Sequence, residues 1–65
     1  MPPVSMAAIM GVSSALAAYA RELLPAVLLG EWMALKKNGC GGLLRPGEFV
    51  RHLTSFRRRG GAWGA

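Results

Sequence analysis

The sequence predicts an all-α fold built from a single, proline-kinked transmembrane helix, a glycine-rich loop and a short basic amphipathic helix. Three observations predict it. Residues 4–20 form an apolar stretch without a charged side chain, charge is concentrated in the second half of the chain, and apolar side chains recur at helical spacing near the C-terminus. The chain has 65 residues and a net charge of +5. Its length leaves room for one small domain.

The two halves of the chain differ sharply in charge. Residues 1–35 carry Arg21, Glu22 and Glu31 as their only charged side chains. All other lysines and arginines, together with Glu48, lie in residues 36–65. An apolar half followed by a basic half is typical of a membrane-embedded chain whose tail lies on an anionic surface. The positive-inside tendency then places the basic half on the cytoplasmic, matrix or stromal side.

Residues 1–37 are predicted to form the transmembrane helix. A single helix over residues 4–35 is about 48 Å long at 1.5 Å per residue, which exceeds the roughly 30 Å of a hydrocarbon layer. We expect a kinked helix, or two collinear pieces, with the bend in the turn before Pro25, because a proline inside a helix removes a hydrogen bond and clashes with the preceding turn. The spanning window is either residues 4–20 or residues 12–35.

Four small residues are predicted to form the packing face of this helix. Ala7, Gly11, Ser14 and Ala18 lie on one side of a helical wheel. Small side chains at this spacing let a second helix approach closely in a membrane. The alternative is chance, since alanine and serine occur in any helix.

Two adjacent charges, Arg21 and Glu22, continue the small-residue face. Charged groups at membrane depth are costly and normally face protein or water. Two interpretations stay open: the pair is buried against a partner subunit, or it lies at the edge of the hydrocarbon layer and snorkels.

The end of the long helix is predicted to be an interfacial anchor. Trp32 and Lys36 are four residues apart and share a face, and Lys37 follows. Tryptophan and lysine are typical of the membrane interface. A tryptophan in a soluble core is the alternative, which the surrounding run disfavours because it has no polar face.

Residues 38–47 are predicted to be a Gly/Pro loop with Leu43 and Leu44 as a short apolar anchor, and residues 48–59 a basic amphipathic helix. Its apolar side chains fall at positions i, i+4 and i+7. Residues 60–65 are expected to be an irregular tail in which Trp63 is a candidate anchor. The residues predicted to contact a partner surface are Phe49, Arg51, Leu53, Phe56, Arg57, Arg58 and Arg59.

Catalytic, cofactor and metal sites are not predicted. The single Cys40 and the single His52 lack companions that would form a nucleophilic pair or a set of zinc ligands. Residues 39–42 lack the Lys-Ser/Thr continuation of a phosphate-binding loop. We therefore expect a protein that is not an enzyme and has no small-molecule substrate.

The predicted function is that of a non-catalytic, single-span accessory subunit of a large membrane complex. The mitochondrial inner membrane is the expected location, in a respiratory-chain complex or ATP synthase, with the basic half on the matrix side. The expected partners are other subunits and the bilayer, including anionic head groups. The alternatives are a small ribosomal or RNA-binding protein, with nucleic acid the less favoured partner, and a membrane-active regulatory micropeptide.

Overall fold

The structure, a computed structural model, describes residues 5–61. That part of the chain folds into four helices: α1, Met6–Met10; α2, Ser14–Leu23; α3, Ala26–Lys37; and α4, Pro46–Arg59. No strand occurs among these residues, so the all-α prediction is confirmed for them. The predicted anchor Trp63 and the rest of the tail after Gly61 lie outside the described residues.

The apolar half is interrupted at Gly11, where a continuous helix was predicted. Gly11 has a left-handed backbone, with φ 68° and ψ 34°, and closes the end of α1. The next helix has its own N-cap, because the Ser13 Oγ accepts a hydrogen bond from the Leu16 N–H at 3.3 Å. Ser5 caps α1 in the same way, accepting from the Ala8 N–H at 3.1 Å.

A second interruption replaces the predicted kink at Pro25. Leu24 is extended, with φ −104° and ψ 134°, and ends α2. Proline disfavours helical geometry in the residue before it, and this accounts for the break. Pro25 then becomes the N-cap of α3, with φ −64° and ψ 162°. One bent helix does not form, since the chain leaves one helix and begins another; of the two predicted alternatives the structure has two pieces, with the break at Leu24.

These interruptions shorten every apolar helix. Both predicted spanning windows are divided, residues 4–20 at Gly11 and residues 12–35 at Leu24. The longest helix of the apolar half, α3, has 12 residues, which is about 18 Å. Within residues 5–61, none of the helices combines the length and the apolarity that crossing a bilayer requires.

The basic helix α4 forms close to its predicted bounds. It begins at Pro46, two residues earlier than predicted, because proline is favoured in the first helical turn. The Arg45 N–H donates to the Glu48 Oε1 at 3.4 Å across that turn. Gly60, with φ 76°, ends the helix after Arg59 as expected.

The helices enclose one apolar core. α1 packs on α2 and α3, and α2 also packs on α3 and α4. The radius of gyration is 11.0 Å, close to the roughly 11 Å expected of a compact domain of this length. The buried apolar side chains are Met10, Ala17, Ala20, Leu24, Trp32, Phe49, Leu53 and Phe56.

Candidate attachment surface on α4

An aromatic cluster fixes the rotation of α4. The Trp32 ring of α3 makes edge-to-face contacts with Phe49, at a centroid distance of 5.6 Å, and with Phe56, at 5.2 Å. Both phenylalanines and Leu53 are fully buried. Each aromatic pair adds about 0.5–1.5 kcal/mol beyond its buried area. The face of α4 that carries these side chains is therefore held against the core.

The opposite side of α4 carries the positive charge. At 100° per residue, Arg51 and Arg58 lie nearly opposite the buried side chains, and Arg57 and Arg59 lie on the two flanks. All four are exposed; we call them the α4 basic face. Within residues 5–61, Arg51, Arg57 and Arg58 form no ion pair. Their guanidinium groups are available to external anions.

Two shallow clefts divide this face. One of about 350 Å³ lies beside His52 and Ser55, between Arg51 and Arg59. The other, of about 240 Å³, is lined by Thr54, Arg57 and Arg58. Guanidinium groups present planar sets of N–H donors that match carboxylate and phosphate oxygens. The clefts are thus suited to oxyanions.

Lys36 does not reach outward as the predicted interfacial anchor. It is only 9% exposed, and its Nζ lies 4.7 Å from the Trp32 ring centroid. Burial lowers the pKa of Lys36, while the nearby Cys40 acts in the opposite direction. A Cβ on Gly41 would lie 2.9 Å from this Nζ, so the loop backbone closes tightly over the ammonium group.

Trp32, the second predicted anchor, is fully buried, so its interfacial assignment is wrong as well. The reason is that the apolar side of α4 covers Trp32. The sequence around Trp32 does not indicate this contact. Of the three predicted interfacial anchors at the end of the long helix, Lys37 is the one that is exposed. The apolar side of α4 was likewise predicted to seat on another protein or lipid, but it packs on Trp32. Its residues are Phe49, Leu53 and Phe56.

The predicted small-residue face is not continuous, because Gly11 ends α1. Ala7 is half-buried on α1, while Ser14 and Ala18 are exposed on α2. These three side chains nevertheless line one open cleft of about 270 Å³ between the two helices, with Arg21 at its edge. Packing of a partner helix in this cleft stays a prediction.

The charged pair on α2 is at the surface. Arg21 and Glu22 are both exposed, so the fold of this chain does not bury either of them. Their burial against another subunit stays a prediction. Among residues 5–61, potential metal ligands do not gather in groups of three or more.

Comparisons with protein-family models, with curated proteins and with solved structures find no match to this chain.

Sequence reasoning missed the contact that closes the C-terminal end of α4. Gly61 is buried, with φ 123°, and a Cβ there would lie 2.7 Å from the Glu31 Oε2 and 3.1 Å from the Leu28 Cδ2. The Gly61 N–H donates to the Phe56 carbonyl at 3.1 Å. The paired glycines after the arginines are the sequence signal for this C-cap, so Gly60 and Gly61 belong to the end of α4 and not to the predicted irregular tail.

Proposed function

We propose that this chain is a non-catalytic accessory subunit of a membrane-associated complex, held in place by the α4 basic face. One observation carries the proposal: the arginines occupy the exposed side of a helix whose other side is locked into the core. A helix held in this way presents its cations in a fixed arrangement. Less entropy is then lost on binding than with a flexible basic tail.

The chemistry of this face favours attachment. Its clefts are shallow and open, and guanidinium groups bind anions without being deprotonated. The two residues considered for a nucleophilic pair lie on different elements, Cys40 in the loop between α3 and α4 and His52 on α4. Acidic side chains of a neighbouring subunit and anionic head groups both fit a surface of this charge, the latter at about 1 kcal/mol per cation.

The spanning helix does not enter this proposal, because the described helices are too short. Attachment is instead peripheral, from one side of the membrane. The mitochondrial inner membrane remains our proposed location, in a respiratory-chain complex or ATP synthase, with the basic C-terminal half of the chain on the matrix side. It is supported by the small size and basic composition of the chain.

RNA binding is the second candidate, because phosphate oxygens also match the arginine clefts. The burial of the α4 aromatic residues argues against it. Phe49 and Phe56 are fully buried in the core, so neither is available as a platform on which unpaired bases stack.

The test uses charge reversal at one position of the α4 basic face. We expect Arg58→Glu to lower the amount of chain that co-purifies with its complex in mild detergent, and the loss to grow with ionic strength. Salt screens exposed contacts, with a Debye length of about 8 Å at physiological strength. Turnover per assembled complex should stay unchanged, because the subunit does no chemistry.

Val27→Glu is the control, since Val27 is 77% exposed on α3, lies outside the α4 basic face and the predicted partner contacts, and glutamate there also lowers the net charge. It should leave co-purification nearly unchanged. Equal losses from both variants would assign the effect to net charge and not to α4. Normal assembly of Arg58→Glu with lost turnover would contradict the structural role, and recovery of the native chain on ribosomes would favour the second candidate.

A further inference from the structure

We propose that residues 41–45, which we call the Leu43 loop, insert Leu43 into the acyl boundary of an anionic lipid bilayer. The Leu43 side chain is 93% exposed, the highest value among the exposed large apolar residues of the described chain. A single exposed leucine is common on protein surfaces. Two further features distinguish Leu43: the loop holds it outward, and cations lie on both sides of it.

The loop fixes Leu43 in an outward position. Gly41 and Gly42 have φ values of 84° and 59°, so the backbone reverses through left-handed geometry immediately before Leu43. The Gly42 N–H donates to the Gly39 carbonyl at 3.2 Å and holds this turn. Leu44, the next residue, is half-buried against the core. One leucine thus secures the base of the loop while the other faces outward.

The charges around the loop match a layer of anionic head groups. Lys37 precedes the loop and Arg45 is its last residue, and both are exposed. The sequence has no carboxylate between Glu31 and Glu48, so acidic side chains within this segment do not oppose the approach to phosphate. Cations placed on each side of an apolar residue contact head groups while that residue reaches the acyl chains below them.

A bilayer suits this arrangement better than a protein pocket does. A protein anchor is normally enclosed by a ring of further contacts that exclude water, whereas Leu43, although its Cδ2 lies close to Gly11, stays 93% exposed on a glycine loop. A fluid interface closes around one side chain without a shaped partner. This inference goes beyond the proposed function, because it assigns acyl chains as the contact of a segment outside the α4 basic face.

The first experiment places an environment-sensitive fluorophore on the loop. Cys40 is the only cysteine in the chain, so Cys40→Ser combined with Leu43→Cys gives a single labelling position. We expect a blue-shifted emission with phosphatidylserine/phosphatidylcholine vesicles, and quenching by lipids that carry the quencher in the acyl chain. Cys40→Ser with Val27→Cys is the control, since Val27 is 77% exposed on α3 and is not flanked by cations.

The second experiment needs no label and compares Leu43→Ser with Val27→Ser in sedimentation with the same vesicles. Both positions are exposed, so circular dichroism should show an unchanged fold. We expect Leu43→Ser to weaken vesicle binding about tenfold, which corresponds to about 1.4 kcal/mol. Val27→Ser should have little effect.

The outcomes separate this inference from the proposed function. Equal binding by the two serine variants, or a loop emission that vesicles do not change, overturns the insertion of Leu43. Loss of complex assembly with intact vesicle binding in Leu43→Ser would assign the leucine to a protein partner and also overturn it. The proposed function is tested separately, by the assembly of Arg58→Glu, a variant that leaves the Leu43 loop unchanged.

Discussion

Trp32 is enclosed by side chains from two helices. Phe49 and Phe56 point their rings at it at interplanar angles of 75° and 60°, and the Lys36 ammonium group lies over its face. Its indole Nε1 is buried and has no hydrogen-bond partner among the described residues, which costs about 1–3 kcal/mol. The aromatic contacts and the buried area must outweigh that cost.

The pKa of Lys36 gives the first residue-scale prediction. Burial lowers this pKa from its ordinary value of 10.5. Between the lowered value and 10.5, the unfolded chain binds the Lys36 proton more strongly than the folded chain does, so the contribution of Lys36 to the free energy of unfolding rises with pH. The stability of the native chain relative to Lys36→Met should therefore increase from neutral pH toward pH 10.5.

Urea denaturation of both chains across this interval measures the difference. Lys37→Met, at the exposed neighbouring position, controls for removing a lysine from the same helix end. A native-minus-variant difference that stays constant or falls with pH would show that the ammonium of Lys36 is not desolvated in the folded chain.

At the scale of the elements, Gly11 decides whether α1 and α2 are separate helices. An alanine in the left-handed region, where Gly11 has φ 68°, costs about 1–2 kcal/mol. Its Cβ would make only an ordinary contact, 3.7 Å from the Leu43 Cδ2, so the cost is conformational. Gly11→Ala should lower the free energy of unfolding by about 1 kcal/mol, measured by chemical denaturation.

Gly30→Ala is the matched control within a helix. Gly30 lies inside α3, is exposed, and an added Cβ there meets no atom within 4 Å. We expect this substitution to stabilise the chain by about 0.5–1 kcal/mol, because glycine is a poor helix former. If Gly11→Ala stabilised the chain as well, α1 and α2 would have to be one helix.

The contrast between α4 and the apolar half shows what periodicity can predict. In α4 one side is apolar and the other is basic, so the sequence indicates both the helix and its buried face. In residues 4–35 almost every side chain is apolar or small, so a pattern that suits lipid on all sides also suits several short helices around a core. Gly11 and Pro25 mark the breaks, but such residues are also tolerated in transmembrane helices.

The buried partner of α4 could not be predicted from local sequence. Arg51, Arg57 and Arg58 are exposed as expected, because an arginine run on a helix face needs only solvent. Trp32 precedes the glycine loop and Phe49 follows it. Their contact depends on the direction that the loop gives to α4. Periodicity identifies an apolar face but not the surface that covers it.

For the whole molecule, the single core makes one aromatic residue decisive. Replacing Phe56 by alanine removes a fully buried ring and its 5.2 Å contact with Trp32. We expect Phe56→Ala to lower the free energy of unfolding by about 3–5 kcal/mol. The free energy of unfolding of a chain of this size is about 3–10 kcal/mol in total. Near-ultraviolet circular dichroism should therefore show that a large fraction of the variant is unfolded.

Phe56→Leu keeps most of the buried volume and should remain folded with a smaller loss. Val27→Ala, at an exposed position of α3, should change the free energy of unfolding by less than about 0.5 kcal/mol. A folded Phe56→Ala with native stability would mean that α4 is not part of the cooperative core.

Because α4 supplies both the basic face and three core side chains, occupancy of that face and folding are thermodynamically linked. An anion that binds only the folded arrangement of arginines shifts the folding equilibrium by RT ln(1 + [L]/Kd). At an anion concentration a hundredfold above Kd, the free energy of unfolding rises by about 2.7 kcal/mol. This is a large share of the total free energy of unfolding of a chain of this length. The melting temperature should thus report anion binding at α4, with the chain more resistant to unfolding when an anion is bound than when it is absent.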